Sequence, residues 1–185
     1  MVRRNLVRAD YHQVELGAGA EGWSMANKAR KDPSRKYLAT DFKLVNRKRY
    51  VAENAKWGVK PFPRNLHFLK GGALTVIHKL KLQGKKTEKI IVAMGTGHLL
   101  NPFYLGRIAK HSKEVLAANG VIYFVSTWKP KYFEEKVVPL FEKEGFRFKQ
   151  LKRNVKRQME HSSKAADFHI EYGQVQWEYE FRLRK

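Results

Sequence analysis

The chain has 185 residues, with 38 Lys and Arg against 17 Asp and Glu, a formal net charge of +21 and no cysteine. The charge points to a polyanionic partner, bound more weakly as salt rises; the lack of cysteine excludes disulfides, thiolate metal sites and a thiol nucleophile, and is consistent with a reducing compartment, cytoplasmic or organelle matrix. No apolar run approaches the length that spans a bilayer, so no membrane partner is expected, and MVRRNLVRAD at the start lacks the apolar core of a signal peptide.

In chain order, the length suits one α/β domain over residues 1–185, with 1–10 a basic arm. Gln13–Leu16 reads as a first strand running into Gly17-x-Gly19-x-x-Gly22, then a helix over Trp23–Lys31 closed by Asp32-Pro33-Ser34, then a second strand over Lys36–Thr40 followed by Asp41. A basic helix is expected over 44–57, a Pro-rich loop over 58–63, a short strand over Asn65–Leu69 and a helix over Ala73–Leu82. The apolar run IIVAM marks a fourth strand over Glu88–Met94. A helix over Asn101–Ala118 is expected to stop at Asn119-Gly120, a strong helix C-terminus. VIYFVST gives a fifth strand over Val121–Ser126, and a helix from Pro130 to Glu144 stops at Gly145. Phe146–Leu151 and Val175–Leu183 alternate as an antiparallel pair joined by a long basic connection. The order predicts an α/β, Rossmann-like, mostly parallel sheet with helices on both faces and a C-terminal antiparallel strand pair.

The glycine turn carries the most chemistry. Three glycines after a strand let the chain turn sharply against a ligand, and the helix opening at Trp23 points unpaired N–H groups into the same space. A carboxylate at Asp41 can accept both hydroxyls of a ribose. The spacing also fits a dinucleotide fingerprint, and a Gly-rich turn after one strand serves packing alone in many α/β proteins. Glu15 separates the readings, because the residues leading into the first glycine of a dinucleotide site are normally apolar, in a strand buried on both faces.

Glu15-Leu16-Gly17-Ala18-Gly19 followed by Asp41 resembles the cofactor half of class I S-adenosylmethionine-dependent methyltransferases. The resemblance implies S-adenosyl-L-methionine as cofactor, held by Glu15, Gly17, Ala18, Gly19, Gly22, Trp23, Asp41 and Gly72. An acid at the mouth of the loop suits the cofactor's cationic amino-acid tail, and Asp41 its ribose. The strand and helix order extends the resemblance over nearly the whole chain. Gly71 and Gly72 stand where the family often has an acid for the adenine amino group, so adenine contact would come from backbone or from a neighbour such as His67, or else the affinity for cofactor is reduced.

The family's catalytic groups project from the end of the fourth strand. This chain has no Asp-Pro-Pro-Tyr or Asn-Pro-Pro-Tyr there and no acid, which argues against methylation of an exocyclic amine or a ribose hydroxyl. Methylation of a base ring nitrogen survives, since its lone pair already points outward and positioning can do most of the work. The glycine loop, the compact length and Thr127-Trp128-Lys129-Pro130-Lys131-Tyr132-Phe133 also look like tRNA guanine-N7 methyltransferases, with Trp128 in place of that family's acid. His98, Asn101 and Tyr104 are the candidates for positioning substrate. Asn101 before Pro102 is equally an ordinary helix cap, and Phe103 and Tyr104 could face the sheet. The seven His are scattered, without metal-ligand spacing, and no metal site is expected.

The basic residues Lys43, Arg47, Lys48, Arg49, Lys149, Lys152, Arg153, Lys156 and Arg157 are candidate RNA contacts, beside Arg3, Arg4 and Arg8 in the arm. Phe146, Phe148 and Trp177 lie near the densest group and alternate with charged residues, as core-facing strand residues do. The expected activity is an RNA methyltransferase acting on tRNA or rRNA. The alternative is a non-catalytic RNA-binding or ribosome-associated protein that keeps the fold.

Overall fold

The computed structural model describes residues 10–18, 23–42, 63–93, 101–126, 130–154 and 176–184. Seven strands form one sheet in the order β3-β2-β1-β4-β5-β7-β6. They are β1 (Tyr11–Leu16), β2 (Tyr37–Asp41), β3 (Leu66–Lys70), β4 (Thr87–Ala93), β5 (Leu116–Ser126), β6 (Phe146–Asn154) and β7 (Gln176–Leu183). The first five run parallel, and β7 is antiparallel to both β5 and β6, which is the expected fold class. The helices are α1 (Trp23–Lys31), α2 (Ala73–Leu82), α3 (Pro102–Val115), α4 (Pro130–Lys136) and α5 (Val138–Lys143).

Alternation along the strands sorts side chains between two cores. Val14, Leu16, Leu38, Ile90 and Val92 meet Val76, Ile77 and Leu80 of α2 and Leu105, Ile108 and Ala109 of α3. On the other face, Tyr37, Ala39 and Leu66 pack on Met25, Ala26 and Ala29 of α1. The i, i+3, i+4 spacing of these helical residues is what puts them on one stripe. Both faces of β1 are therefore covered, and Gln13 and Glu15 are buried on the α1 side.

The β5-β7-β6 end is closed by an aromatic cluster. Phe133 of α4 stacks on Tyr179 with centroids 3.7 Å apart and planes 5° from parallel, and Phe141 of α5 stacks on Phe181 at 4.3 Å. Each such pair adds about 0.5–1.5 kcal/mol beyond the area it buries. Phe146 is wholly buried here, so it offers no aromatic surface to a ligand, and Phe148 is partly buried against the same cluster.

Two expectations are corrected. Asn119-Gly120 does not end a helix: α3 stops at Val115, Leu116 is already extended, and the pair lies within β5. Pairing of Leu116 with Thr87 and of Val121 with Lys89 leaves Ala117 to Gly120 opposite Glu88 alone, an irregularity in the ladder. A Cβ on Gly120 would lie 2.9 Å from Leu116 Cδ2 and 3.0 Å from the Ala117 carbonyl oxygen. Its glycine thus serves close approach of the chain to itself. The helix expected over Pro130–Glu144 is also divided, at Val137, because Pro139 has no N–H to donate and its ring crowds the preceding turn. Gly145 ends α5 with φ +86, as expected of a glycine stop. The helix expected over 44–57 and the connection between β6 and β7 lie outside the described residues.

Candidate functional site

The parallel strands end along one edge, and β1 sits where the connections leave in opposite directions, between β2 and β4. Such a switch point opens a crevice beyond the carboxyl ends of the strands. Glu15 pairs in register with Ala39 of β2 and Ile91 of β4 and is 5% exposed. Gly17 follows with φ +77, a left-handed conformation that favours glycine. The N–H groups of Gly17 and Ala18 donate to the Thr40 carbonyl at 3.0 and 2.9 Å. These two donors are thus satisfied by β2, and what the turn presents to a ligand is close approach of the chain. The buried Thr40 hydroxyl donates to the Glu15 carbonyl at 2.9 Å, so β1 and β2 are locked together at this level.

Asp41 is the last residue of β2, half-buried, and its carbonyl accepts the Gly71 N–H at 3.1 Å. Gly72, just beyond β3, is exposed, and a Cβ there would meet nothing within 4 Å. Glu15, the Gly17 turn, Asp41 and Gly72 thus share the edge, with open space at Gly72. His67 is not at this edge. It pairs with Leu38 near the amino ends of β3 and β2 and sets its ring 5.9 Å from Tyr11, at the opposite end of β1. The side chain of Trp23, together with Gly19 and Gly22, lies outside the described residues.

Asn101 is the N-cap of α3, its side-chain oxygen accepting the Phe103 N–H at 2.9 Å with Pro102 at the first helical position. Phe103 and Tyr104 do not face the sheet: they are 64% and 45% exposed, with rings edge-to-face at 5.9 Å. Phe42 directly after β2 and Tyr132 in the first turn of α4 are also exposed. All four aromatics follow the carboxyl ends of β2, β4 or β5. Sequence reasoning did not single out Phe42 or Arg107, whose guanidinium lies 5.6 Å from the Phe103 ring centroid; an aromatic placed immediately after a strand end was the signal available for Phe42. His98 lies outside the described residues.

Of the basic candidates, Lys149 is exposed on edge strand β6, opposite Glu180. Lys152 and Arg153 continue that strand, though their side chains are outside the described residues, as are Arg3, Arg4, Arg8, Lys43, Arg47, Lys48, Arg49, Lys156 and Arg157 altogether. No described helix is long and apolar enough to cross a membrane.

No protein-family model matches the sequence, and no curated protein matches it. Solved structures do match. One described as an antibiotic-related methyltransferase superposes with a TM-score of 0.63 at 20% identity, covering 96% of this chain and 89% of the other. The 16S rRNA (adenine(1408)-N(1))-methyltransferase from Catenulisporales acidiphilia gives 0.64 at 12% identity, covering 96% and 87%. The 16S rRNA methyltransferase KamB gives 0.58 at 17%, covering 97% and 91%. The likeness to tRNA guanine-N7 methyltransferases is not shown by these structures. At such identities the agreement is one of architecture, and with the strand order and the edge described above, the chain has the fold of class I S-adenosylmethionine-dependent methyltransferases.

Proposed function

We propose that the chain is an S-adenosylmethionine-dependent methyltransferase acting on a base ring nitrogen of structured RNA. The observation that carries this reading is the carboxyl edge itself, where the buried Glu15, the tight Gly17 turn and Asp41 lie together, with the exposed aromatics Phe42, Phe103, Tyr104 and Tyr132 in the segments that follow strand ends. Two acids beside a glycine turn suit a cofactor with a cationic tail and a ribose diol, and open space at Gly72 leaves room for a flat ring. Glu15 would face the amino-acid tail and Asp41 would accept from the ribose hydroxyls, with Ala18, Gly19, Gly22 and Trp23 completing the wall. When bound, the cofactor supplies an electrophilic methyl group.

The chain's own residues have to bind, orient and exclude water. A base stacked on Phe103 or Tyr104 is fixed in plane, so the lone pair of a ring nitrogen, which lies in that plane, is aimed without a general base. Asn101 acts by capping α3 and so fixing the helix that carries both rings, and His98 is a further positioning candidate. The net charge of +21 and the exposed Lys149 on β6 support a polyanionic substrate. Adenine N1, named for one of the similar structures, is itself a ring nitrogen, and 16S rRNA is therefore the first RNA to test.

Incubation with methyl-labelled S-adenosylmethionine and either 16S rRNA or total tRNA, followed by digestion to nucleosides, should place label on a purine ring nitrogen. Label on a ribose oxygen or on pyrimidine C5 would overturn the reading. The two glycines after β3, where an acid was expected, favour a second reading, a non-catalytic RNA-binding protein. RNA binding without label from any RNA would select it.

A further inference from the structure

The outer face of α3 continues downward from the aromatic edge as a row of cationic and titratable groups. Phe103, Arg107 and His111 follow one another at i, i+4 and i+8, so they lie one above the next and span about 12 Å along the helix axis. Arg107 leans toward Phe103, with its guanidinium 5.6 Å from the ring centroid. His78 of α2 reaches the same row, its ring 5.7 Å from that of His111 and edge-to-face with it. The charged and titratable groups around His111 are His78 and Lys81 from α2 and Arg107 and Glu114 from α3; Glu114 is engaged by Lys81 at 2.7 Å. Burial, with Lys81, His78 and Arg107 nearby, holds the His111 imidazole below its ordinary range. Its Nδ1 is buried and makes no hydrogen bond, which leaves Nε2 as the nitrogen that can serve a ligand.

Two histidines on adjacent helices also suggest a metal site, and charge decides between the two. Among the described residues no group of three His, Asp or Glu is placed to hold an ion. With Lys81 paired to Glu114, the guanidinium of Arg107 leaves the cluster net positive, which repels a divalent cation and attracts an anion.

We propose that Arg107 and His111 of α3, with His78 of α2, form a track for RNA backbone phosphates leading away from Phe103 and the carboxyl edge. The proposal rests on the reading of the substrate as RNA. Arg107 supplies the permanent charge, and an imidazole N–H from each of the two histidines can donate to phosphate oxygens.

Fluorescence anisotropy of a 16S rRNA helical fragment with the full chain tests this. Arg107→Gln should lower affinity and reduce the slope of log K against log salt by about 0.7–0.9. His78→Ala with His111→Ala should lower affinity several-fold through loss of the two N–H donors. His78 is exposed, so His78→Ala alone reports on the site if His111 proves necessary for folding. An unchanged salt slope in Arg107→Gln together with an unchanged affinity in the histidine variants would overturn the track. Calorimetry with S-adenosylmethionine, expected to be unaffected in all three variants, keeps the outcomes apart. Cofactor binding and methyl transfer with a normal salt slope in Arg107→Gln and normal affinity in the histidine variants would sink the track alone, whereas lack of label with the expected slope would sink the methyltransferase reading alone.

Discussion

The hydroxyl of Thr40 donates to the carbonyl oxygen of Glu15 at 2.9 Å inside the sheet, while the Thr40 carbonyl accepts both N–H groups of the Gly17–Ala18 turn. One residue of β2 therefore holds both the strand that presents Glu15 and the turn that follows it. Thr40→Val keeps the shape and removes only the hydroxyl bond. It should cost about 0.5–1.5 kcal/mol of stability, read from urea denaturation, and weaken S-adenosylmethionine binding because the turn is less firmly held. Cofactor affinity equal to that of the wild type would show that the turn is held without it.

Asp41→Ala should weaken the cofactor at least tenfold, since each hydrogen bond to a charged acceptor is worth about 1.5–3 kcal/mol. Isothermal calorimetry measures it, with circular dichroism to establish that the fold is intact. Gly17→Val, which forces a branched side chain into φ +77, should both destabilise the protein by about 1–2 kcal/mol and abolish binding. Normal affinity in either variant would remove that residue from the site.

Gly120→Ala is expected to destabilise by about 1–3 kcal/mol, because the added carbon meets a backbone oxygen at 3.0 Å as well as the Leu116 side chain. Asn119→Ala, one residue earlier in the same strand, is the comparison. If Gly120 were a helix terminator the cost would follow loss of a left-handed conformation, yet Gly120 is not among the glycines of positive φ. A variant as stable as the wild type would mean that β5 can relax around the methyl group.

Tyr179 carries a pH signature. Burial, with Glu134 nearby, pushes its hydroxyl up to about 12 from an ordinary value of 10.0. The folded protein keeps this proton where the unfolded chain gives it up, so its contribution to stability is complete below about pH 10 and is lost as pH rises toward about 12. Across that window the wild type should therefore lose stability faster than Tyr179→Phe, read from denaturation curves of both. Parallel curves would contradict the shift.

Local pattern was enough for much of the chain. The helices Trp23–Lys31 and Ala73–Leu82 have the boundaries read from the sequence, since their apolar spacing and their Pro and Gly stops are contained within a few residues. The first strand, the turn at Gly17 and the place of Asp41 at the end of the second strand were legible for the same reason. Tertiary structure decided what depends on distant partners. Asn119-Gly120 reads locally as a helix end, but β4 pairs with Leu116 on one side of it and with Val121 on the other, and the ladder draws the pair into β5. Phe103 and Tyr104 fit either a buried or an exposed face by type, and they are exposed because Leu105, Ile108 and Ala109 take the side of α3 that meets the core. Glu15 is buried because β2, β4 and α1 converge on its strand from separate parts of the chain. Spacing along a sequence encodes the period of an element, while the face that is covered depends on which other elements pack against it.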